Sequence, residues 1–84
     1  MFVGCTTIED NRAFGIVVED NVVKIQFSLT AQPQIVMLVD AATGERVEMI
    51  QGANNIYSAT LLNLKNEWFI EVWFKNGDHK IYNK

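Results

Sequence analysis

Few residues in this chain could do acid–base or nucleophilic chemistry. His79 is the single histidine and Cys5 the single cysteine among 84 residues. A nucleophile and its base must lie within hydrogen-bond reach of each other, and no flanking motif predicts that these two do. One His and one Cys also provide no zinc-ligand spacing. We therefore expect a solvated histidine beside a turn and no enzyme. An enzyme would need a cleft that holds His79 beside a second titrating group.

Metal and cofactor sites are not predicted either. Three acids, Asp40, Glu45 and Glu48, fall near one turn, but the alternating acid positions and the glycine of a calcium-binding loop are missing. The glycine patterns that bind nucleotide phosphates are missing as well. We expect no metal and no cofactor, with the acids dispersed over a solvated surface.

Charge and hydropathy exclude two kinds of partner. The formal net charge is −3, and the seven Lys and Arg residues are scattered along the chain. A nucleic-acid surface needs a basic stripe, so no nucleic acid is expected. The longest uninterrupted apolar run covers residues 35–39, far short of the roughly 20 residues that span a bilayer. We expect no transmembrane segment.

Exposed aromatic side chains are the best functional lead. The run from Trp68 to Phe74 is rich in aromatic and β-branched residues, which favour strands. Side chains alternate between the two faces of a strand. The face predicted to meet the core carries Trp68, Ile70, Val72 and Phe74. The other face carries Phe69, Glu71, Trp73 and Lys75.

Phe69 and Trp73 thus project away from the predicted core, and we expect Tyr57 and Tyr82 to join them from adjacent strands. Flat aromatic rings on a sheet can form a protein-interface hot spot or stack against sugar rings. A third interpretation is that a loop or the N-terminal segment covers these rings, or that the face assignment is inverted. All three interpretations stay open here.

The elements that position these side chains are predicted to be strands throughout. Turn signals recur every eight to twelve residues, and no stretch of twelve or more has a helical period. The predicted strands are 13–18, 22–29, 35–40, 45–51, 55–61, 67–75 and 79–83. About seven short antiparallel strands predict an immunoglobulin-like β-sandwich. We expect residues 13–84 to form this single domain and residues 1–12 to be a flexible lead-in.

Particular core positions follow from the same alternation. The second strand has one apolar face, which carries Val23, Ile25, Phe27 and Leu29. Residues 35–39 are apolar on both faces and predict a central strand that is covered on both sides or nearly so. Val47 and Met49 are predicted to point inward. Ile56, Leu61 and Leu64 are also assigned to the core. Asn76-Gly77 predicts a two-residue hairpin turn, after which Ile81 is the core residue of the last strand.

From Ile35 onward, the features follow an order that resembles a known group of domains. These features are an apolar strand ending at Asp40, a turn at Thr43-Gly44, a return strand with Val47, Gly52 and Asn54-Asn55-Ile56, the pair Leu61 and Leu64, an aromatic strand opening at Trp68-Phe69, the Asn76-Gly77 turn, and Lys80-Ile81. The order is similar to that of small Ig-like domains in secreted and cell-envelope bacterial proteins. Such domains include type IX secretion sorting domains and short secreted Ig-like domains of gut bacteria. The resemblance implies a non-catalytic module in a secreted, periplasmic or cell-surface protein.

Cys5 raises one further possibility, a lipid anchor. Met1 to Cys5 resemble the end of a bacterial lipoprotein signal, in which the Cys is lipidated. The basic segment and apolar stretch of such a signal are missing, and we favour a free thiol. We therefore predict a binding or structural module that takes a protein partner. A carbohydrate-binding module and a self-associating domain are the alternatives.

Overall fold

A computed structural model describes residues 12–60 and 67–83 of the chain. These residues form eight β-strands and one short 3-10 turn at Ala53–Asn55. The strands are β1 (Ala13–Glu19), β2 (Val22–Phe27), β3 (Pro33–Asp40), β4 (Arg46–Glu48), β5 (Ile50–Gln51), β6 (Ile56–Thr60), β7 (Trp68–Phe74) and β8 (His79–Asn83). No α-helix occurs in the described part of the chain, and the all-β prediction is confirmed.

The strands form two sheets of four strands each. The first sheet has the order β1-β2-β6-β5, and the second has the order β4-β3-β7-β8. All the pairings are antiparallel, and β1–β2, β3–β4, β5–β6 and β7–β8 are pairs of strands that follow each other along the chain. This architecture is compatible with the predicted β-sandwich.

The predicted strand 45–51 is two strands, which belong to different sheets. β4 pairs with β3 in the second sheet, whereas β5 pairs with β6 in the first. Met49 lies between them and is buried, as predicted. Its backbone N–H donates to the carbonyl of Val36 at 2.8 Å. The chain therefore changes sheets at Met49, and the described residues contain eight strands rather than about seven.

Side chains from the inner faces of both sheets build one core. Its buried members are Val23, Ile25, Phe27, Ala31, Val36, Leu38, Met49, Tyr57, Trp68, Ile70, Val72, Phe74 and Tyr82. The inner face predicted for β7 is confirmed in full, and that of β2 is confirmed up to Phe27. Val47 packs against this core as a partly buried residue, as predicted. Removal of these apolar side chains from water is the main force that holds the two sheets together.

Leu29 is a predicted core residue that the structure places in solvent. Its side chain is 77% exposed. The reason is local, because β2 ends at Phe27 and residues 29–30 form a turn. The inside–outside alternation of the strand does not extend beyond its last paired residue.

Ile56 also differs from its predicted position in the core. It lies opposite Gln26 on β2, on the outer side of the first sheet, and is only partly buried. Tyr57, one residue later, lies opposite Ile25 and takes the inner position. Leu61 and Leu64, which were assigned to the core with Ile56, lie outside the described residues.

β3 is the central strand that the sequence predicts, between β4 and β7. Val36 and Leu38 are buried on its inner side. Ile35, on its outer side, is 41% exposed, so the strand is not covered on both sides along its full length. β3 ends at Asp40, whose carboxylate accepts the N–H of Ala42 at 2.8 Å and holds the following turn.

The β7–β8 hairpin has a three-residue loop rather than the predicted two-residue turn. The N–H of Gly77 donates to the carbonyl of Phe74 at 2.9 Å, and the N–H of Phe74 donates to the carbonyl of Asp78 at 2.8 Å. Residues 75–77 therefore form the loop. Gly77 has a φ of 97°, a backbone conformation that favours glycine. A type I turn followed by glycine at positive φ is a common connection of this length.

The extra loop residue shifts β8 by one position relative to the predicted pairing. Tyr82 lies opposite Ile70, and Ile81 lies opposite Glu71. Because directly opposite residues point to the same face, Tyr82 is buried in the core and Ile81 is 46% exposed. The prediction that Ile81 is the core residue of this strand is therefore wrong.

Arg12 links the start of β1 to the β7–β8 loop. Its Nη1 atom lies 2.9 Å from Oδ2 of Asp78, and its guanidinium carbon lies 4.1 Å from the centre of the Phe74 ring. Hydrogen bonds from Arg12 and from Asn76 favour the ionised carboxylate. They hold the pKa of Asp78 below its ordinary value of 3.8.

This linkage predicts an acid-dependent contribution to stability. A group whose pKa is lower in the folded state stabilises the fold above its unfolded pKa, and the contribution is lost as the pH falls through the folded pKa. We expect Asp78→Asn to lower the free energy of unfolding at neutral pH, and we expect the difference from wild type to shrink below pH 3.8. Urea unfolding across this pH range measures it. Parallel pH curves for the two proteins would contradict the prediction, and Glu45→Gln, at an exposed acid, is the control.

Candidate functional site

The outer side of the second sheet carries the two leading site residues, Phe69 and Trp73. Pairing of the strands lines up three rows of side chains across this side. The rows are Ile35–Trp73–His79, then Glu48–Met37–Glu71–Ile81, then Arg46–Val39–Phe69–Asn83. We call these residues the outer aromatic face. Every one of them points away from the core because inner and outer side chains alternate along each strand.

The outer aromatic face is apolar over much of its area. Ile35 is 41% exposed and Ile81 is 46% exposed, while Phe69, Trp73 and Met37 are partly buried. Scattered apolar residues are normal on a protein surface, whereas a contiguous apolar patch commonly marks an interaction site. Because the register places these residues in adjacent rows, their apolar surface is contiguous.

A carboxylate lies at the centre of this apolar surface. Glu71 is only 9% exposed although it points away from the core. Its Oε2 lies 3.0 Å from Nε2 of His79, and its Oε1 lies 3.5 Å from Nη2 of Arg46. Oε1 accepts no hydrogen bond from any described residue. A buried carboxylate that lacks part of its hydrogen bonding is costly to the fold.

Trp73 and His79 stack face to face across the β7–β8 pair. Their ring centres are 4.6 Å apart, and the ring planes differ by 16°. Trp73 also has Ile35 as its opposite residue on β3. The indole therefore stands between a ring on one neighbouring strand and an aliphatic side chain on the other. The face of the indole that meets His79 is not available to a ligand.

Arg46 is the most accessible charged group beside Glu71. Its side chain is 53% exposed. Among residues 12–60 and 67–83, its guanidinium donates no hydrogen bond within the usual distance and contacts only the Glu71 carboxylate as an ion pair. An arginine can donate five hydrogen bonds, so this side chain retains donors for a partner.

Two of the four predicted site residues lie in the core instead. Tyr57 is 9% exposed and Tyr82 is 3% exposed, so the prediction that they join Phe69 and Trp73 is wrong. Both rings pack edge-on against Phe27, with ring centres 5.6 Å and 6.0 Å away. Burial raises the pKa of the Tyr57 hydroxyl. Strand pairing is the cause, because Tyr57 lies opposite Ile25 and Tyr82 opposite Ile70, both inner residues.

Three polar members of the face were not predicted as a cluster. Alternation along β7 places Glu71 on this side but predicts no partner for it, and His79 is expected to be a solvated residue beside a turn. The structure puts the carboxylate of Glu71 within 4 Å of both His79 and Arg46. The register of β7 with β8, of β3 with β7 and of β3 with β4 brings these side chains together. The one local signal for the His79 contact is Asn76-Gly77, because this dipeptide also fits the end of a three-residue loop.

His79 thus lies beside a second titrating group, but not in a cleft. It lines neither of two surface grooves formed by described residues. The larger groove, about 380 Å³, lies on the outer side of the first sheet, between Phe14 and Ile56. The other residues in the row of His79 are Trp73 and Ile35, which carry no nucleophile.

Two other kinds of feature do not occur in the described part of the chain. No three or more His, Cys, Asp and Glu residues come together there in a way that could hold a metal ion. No helix there has the length and apolar character needed to cross a membrane. Cys5 and residues 1–11 of the predicted lead-in 1–12 lie outside the described residues.

Comparisons with protein-family models, with curated proteins and with solved structures find no match to this chain.

Proposed function

We propose that this chain is a non-catalytic binding module that recognises a protein partner through the outer aromatic face. The observation that carries the proposal is the grouping of Trp73, Phe69 and Arg46 on one surface outside the core. Interface hot spots are enriched in Trp, Tyr and Arg and are surrounded by apolar residues that exclude water. The exposed side chains of Ile35 and Ile81 supply such a surround.

The ring geometry favours a protein over a carbohydrate as the partner. Stacking on a sugar requires an aromatic ring that presents one face to solvent. The indole of Trp73 has His79 stacked 4.6 Å from one face and Ile35 as its neighbour on the other strand. Tyr57 and Tyr82, which would have extended a sugar platform, lie in the core. Protein interfaces accept ring edges and aliphatic side chains equally well.

Absence of catalysis is part of the proposal. The pair of His79 and Glu71 would be an acid–base unit only if a substrate or a nucleophile could reach it. The pair lies on an open sheet surface, and His79 lines neither described groove. We assign the pair a role in shaping the surface instead.

An immunoglobulin-like topology is also proposed. The sheet orders β1-β2-β6-β5 and β4-β3-β7-β8 are those of strands ABED and C′CFG in Ig-type sandwiches, when strands are lettered along the chain. The secreted or cell-envelope bacterial location is supported by the order of sequence features from Ile35 onward alone.

A selection experiment tests the function without a known partner. Peptides are selected from a displayed random library on the wild-type protein, and their affinities are then measured for single variants. We expect Trp73→Ala and Arg46→Ala each to weaken binding at least about tenfold, as is usual for central interface residues. Leu29→Ala, at an exposed apolar side chain away from this face, is the control and should bind normally.

Two outcomes would count against the proposal. Peptides that bind all three variants alike would place the binding surface elsewhere. A change in tryptophan emission on adding polysaccharides, lost in Trp73→Ala, would favour the carbohydrate alternative. Near-ultraviolet circular dichroism of each variant verifies that its fold is intact.

A further inference from the structure

A second surface, independent of the outer aromatic face, lies at the β1 edge of the first sheet. β1 is the first strand of the order β1-β2-β6-β5, and among the described residues only β2 pairs with it. An edge strand presents unpaired N–H and C=O groups, which can template pairing with another strand. Natural proteins commonly protect such edges by shortness, by charge, by proline or by a bulge.

The other three edges have such protection, and β1 has little. β4 has three residues, β5 has two, and β8 carries His79 and Lys80. β1 has seven residues, and its first six contain no charged residue and no proline. A single bulge occurs near its start, between Ala13 and Gly15. The part from Ile16 onward is regular.

Before Glu19, the exposed side chains of β1 are apolar. Phe14 is 67% exposed, Val17 is 54% exposed and Val18 is 47% exposed. Val18 lies opposite Val23, a core residue, so it points toward the core side and is exposed because no strand lies beyond β1 among the described residues. Val17 points to the outer side and lines the groove of about 380 Å³. Both sides of the edge therefore have apolar surface that an added strand could cover.

The register of the β1–β2 hairpin shows which backbone groups face outward. Glu19 and Val22 flank the two-residue turn, and such a closing pair exchanges backbone hydrogen bonds. Hydrogen-bonded and non-hydrogen-bonded pairs alternate along an antiparallel ladder. Val17 thus bonds to β2, whereas Ile16 and Val18 direct their N–H and C=O groups away from it.

We propose that β1 pairs with β1 of a second copy of this chain, antiparallel and around a two-fold axis at Val17. In this register Ile16 of each copy lies opposite Val18 of the other, so all four outward-directed residues exchange hydrogen bonds. Val17 meets Val17 on the outer side. Glu19 lies opposite Gly15, which has no side chain, so no like charges face each other. The result is one continuous sheet of eight strands.

The occupant is assigned as a second copy because the strand is complementary to itself. A two-fold interface must present the same patch on both sides. Ile16-Val17-Val18 satisfies this condition with apolar residues at every position. The only charge of β1, on Glu19, is already paired with Lys24 at 2.9 Å. This inference does not rest on the proposed function, which uses the opposite sheet.

Sedimentation velocity of the full chain, from micromolar to millimolar concentration, tests the inference. We expect a species of twice the mass of one chain that grows with concentration. Val17→Lys should abolish it, because it places two cations against each other at the axis. Ile50→Lys, on the opposite edge of the same sheet and 67% exposed in the wild type, is the matched control and should dimerise normally.

Cross-linking verifies the register. In a Cys5→Ser background, Val17→Cys should form an interchain disulfide under mild oxidation, since opposite Cβ atoms of a non-hydrogen-bonded pair come close enough. Val18→Cys should not, because its opposite residue is Ile16. A monomer at every concentration, a dimer that survives Val17→Lys, or protection of the Ile16 and Val18 amides from hydrogen exchange in a monomer would each overturn the inference.

Discussion

Replacing Phe27 with alanine should cost about 3–5 kcal/mol of unfolding free energy, the range measured for large buried aromatic residues. Phe27 is fully buried, and its ring packs edge-on against Tyr57, Phe74 and Tyr82, with centre distances of 5.6–6.0 Å. Tyr57 belongs to the first sheet, whereas Phe74 and Tyr82 belong to the second. Phe27 therefore contacts aromatic rings of both sheets.

The size of this loss matters because small domains have little stability to spare. Single domains are typically stable by about 5–15 kcal/mol, and a chain of this length buries a smaller fraction of its surface than a larger one. Removing the ring also leaves a cavity between two rigid sheets, which can close only in part. We expect a large fraction of the total stability to be lost with this single ring.

Urea unfolding, followed by tryptophan emission, measures the effect. Phe14→Ala is the matched control, since Phe14 is 67% exposed, and its change should stay within about 0.5 kcal/mol. If Phe27→Ala does not fold, Phe27→Leu should still fold, with a loss below about 2 kcal/mol. Equal losses for Phe27→Ala and Phe14→Ala would show that the packing of the two sheets is not as described.

Strand faces could be predicted wherever apolar and polar residues alternate without ambiguity. β2 has Lys24 and Gln26 between its buried residues, and β7 has Glu71 on its outer side, so period two identifies the inner face of each. At Ile56-Tyr57 both neighbours are apolar, and alternation alone cannot choose between them. Pairing with Ile25 on β2 decides that Tyr57 is inside.

The inner face of the last strand was predicted wrongly for a different reason, which is the length of the loop before it. Asn76-Gly77 predicts a two-residue turn, but the same dipeptide also fits the end of a three-residue loop in which only the glycine needs positive φ. One additional residue reverses the inside and outside of the whole strand. Tyr82 therefore points into the core instead of lying on the predicted surface, and His79 lies beside Trp73 on the outer side. Of the four aromatic residues predicted for the site, Phe69 and Trp73 lie on the outer side. The contacts of Glu71 with Arg46 and His79 depend on cross-strand register, which alternation alone does not determine.

Glu71 provides the second prediction, in which two substitutions of one residue have opposite effects. Glu71→Met should leave the protein as stable as wild type or up to about 2 kcal/mol more stable. Glu71→Lys should cost about 3 kcal/mol or more. The carboxylate is 9% exposed, and its Oε1 accepts no hydrogen bond from the described residues. Its burial is therefore only partly offset by its contacts with Arg46 and His79.

The two variants differ in stability because they leave different charges at the buried position. After Glu71→Met, the side chains of Arg46 and His79, which are 53% and 42% exposed in the wild type, remain hydrated, so no buried charge is left unpaired. After Glu71→Lys, a second cationic group is forced into the same buried position beside the guanidinium of Arg46. Glu48→Met, at an exposed acid in the same row, is the control and should change stability by no more than about 0.5 kcal/mol.

Urea unfolding of the three variants, combined with the peptide-binding assay, separates folding from function. If Glu71→Met folds as well as wild type, the carboxylate is not needed to hold the second sheet together. We then expect the same variant to lose affinity for the selected peptides, because Glu71 positions Arg46 and His79 on the face that meets the partner. A loss of more than about 1 kcal/mol in Glu71→Met would instead show that the contacts of Glu71 with Arg46 and His79 stabilise the fold by more than the burial of the carboxylate costs.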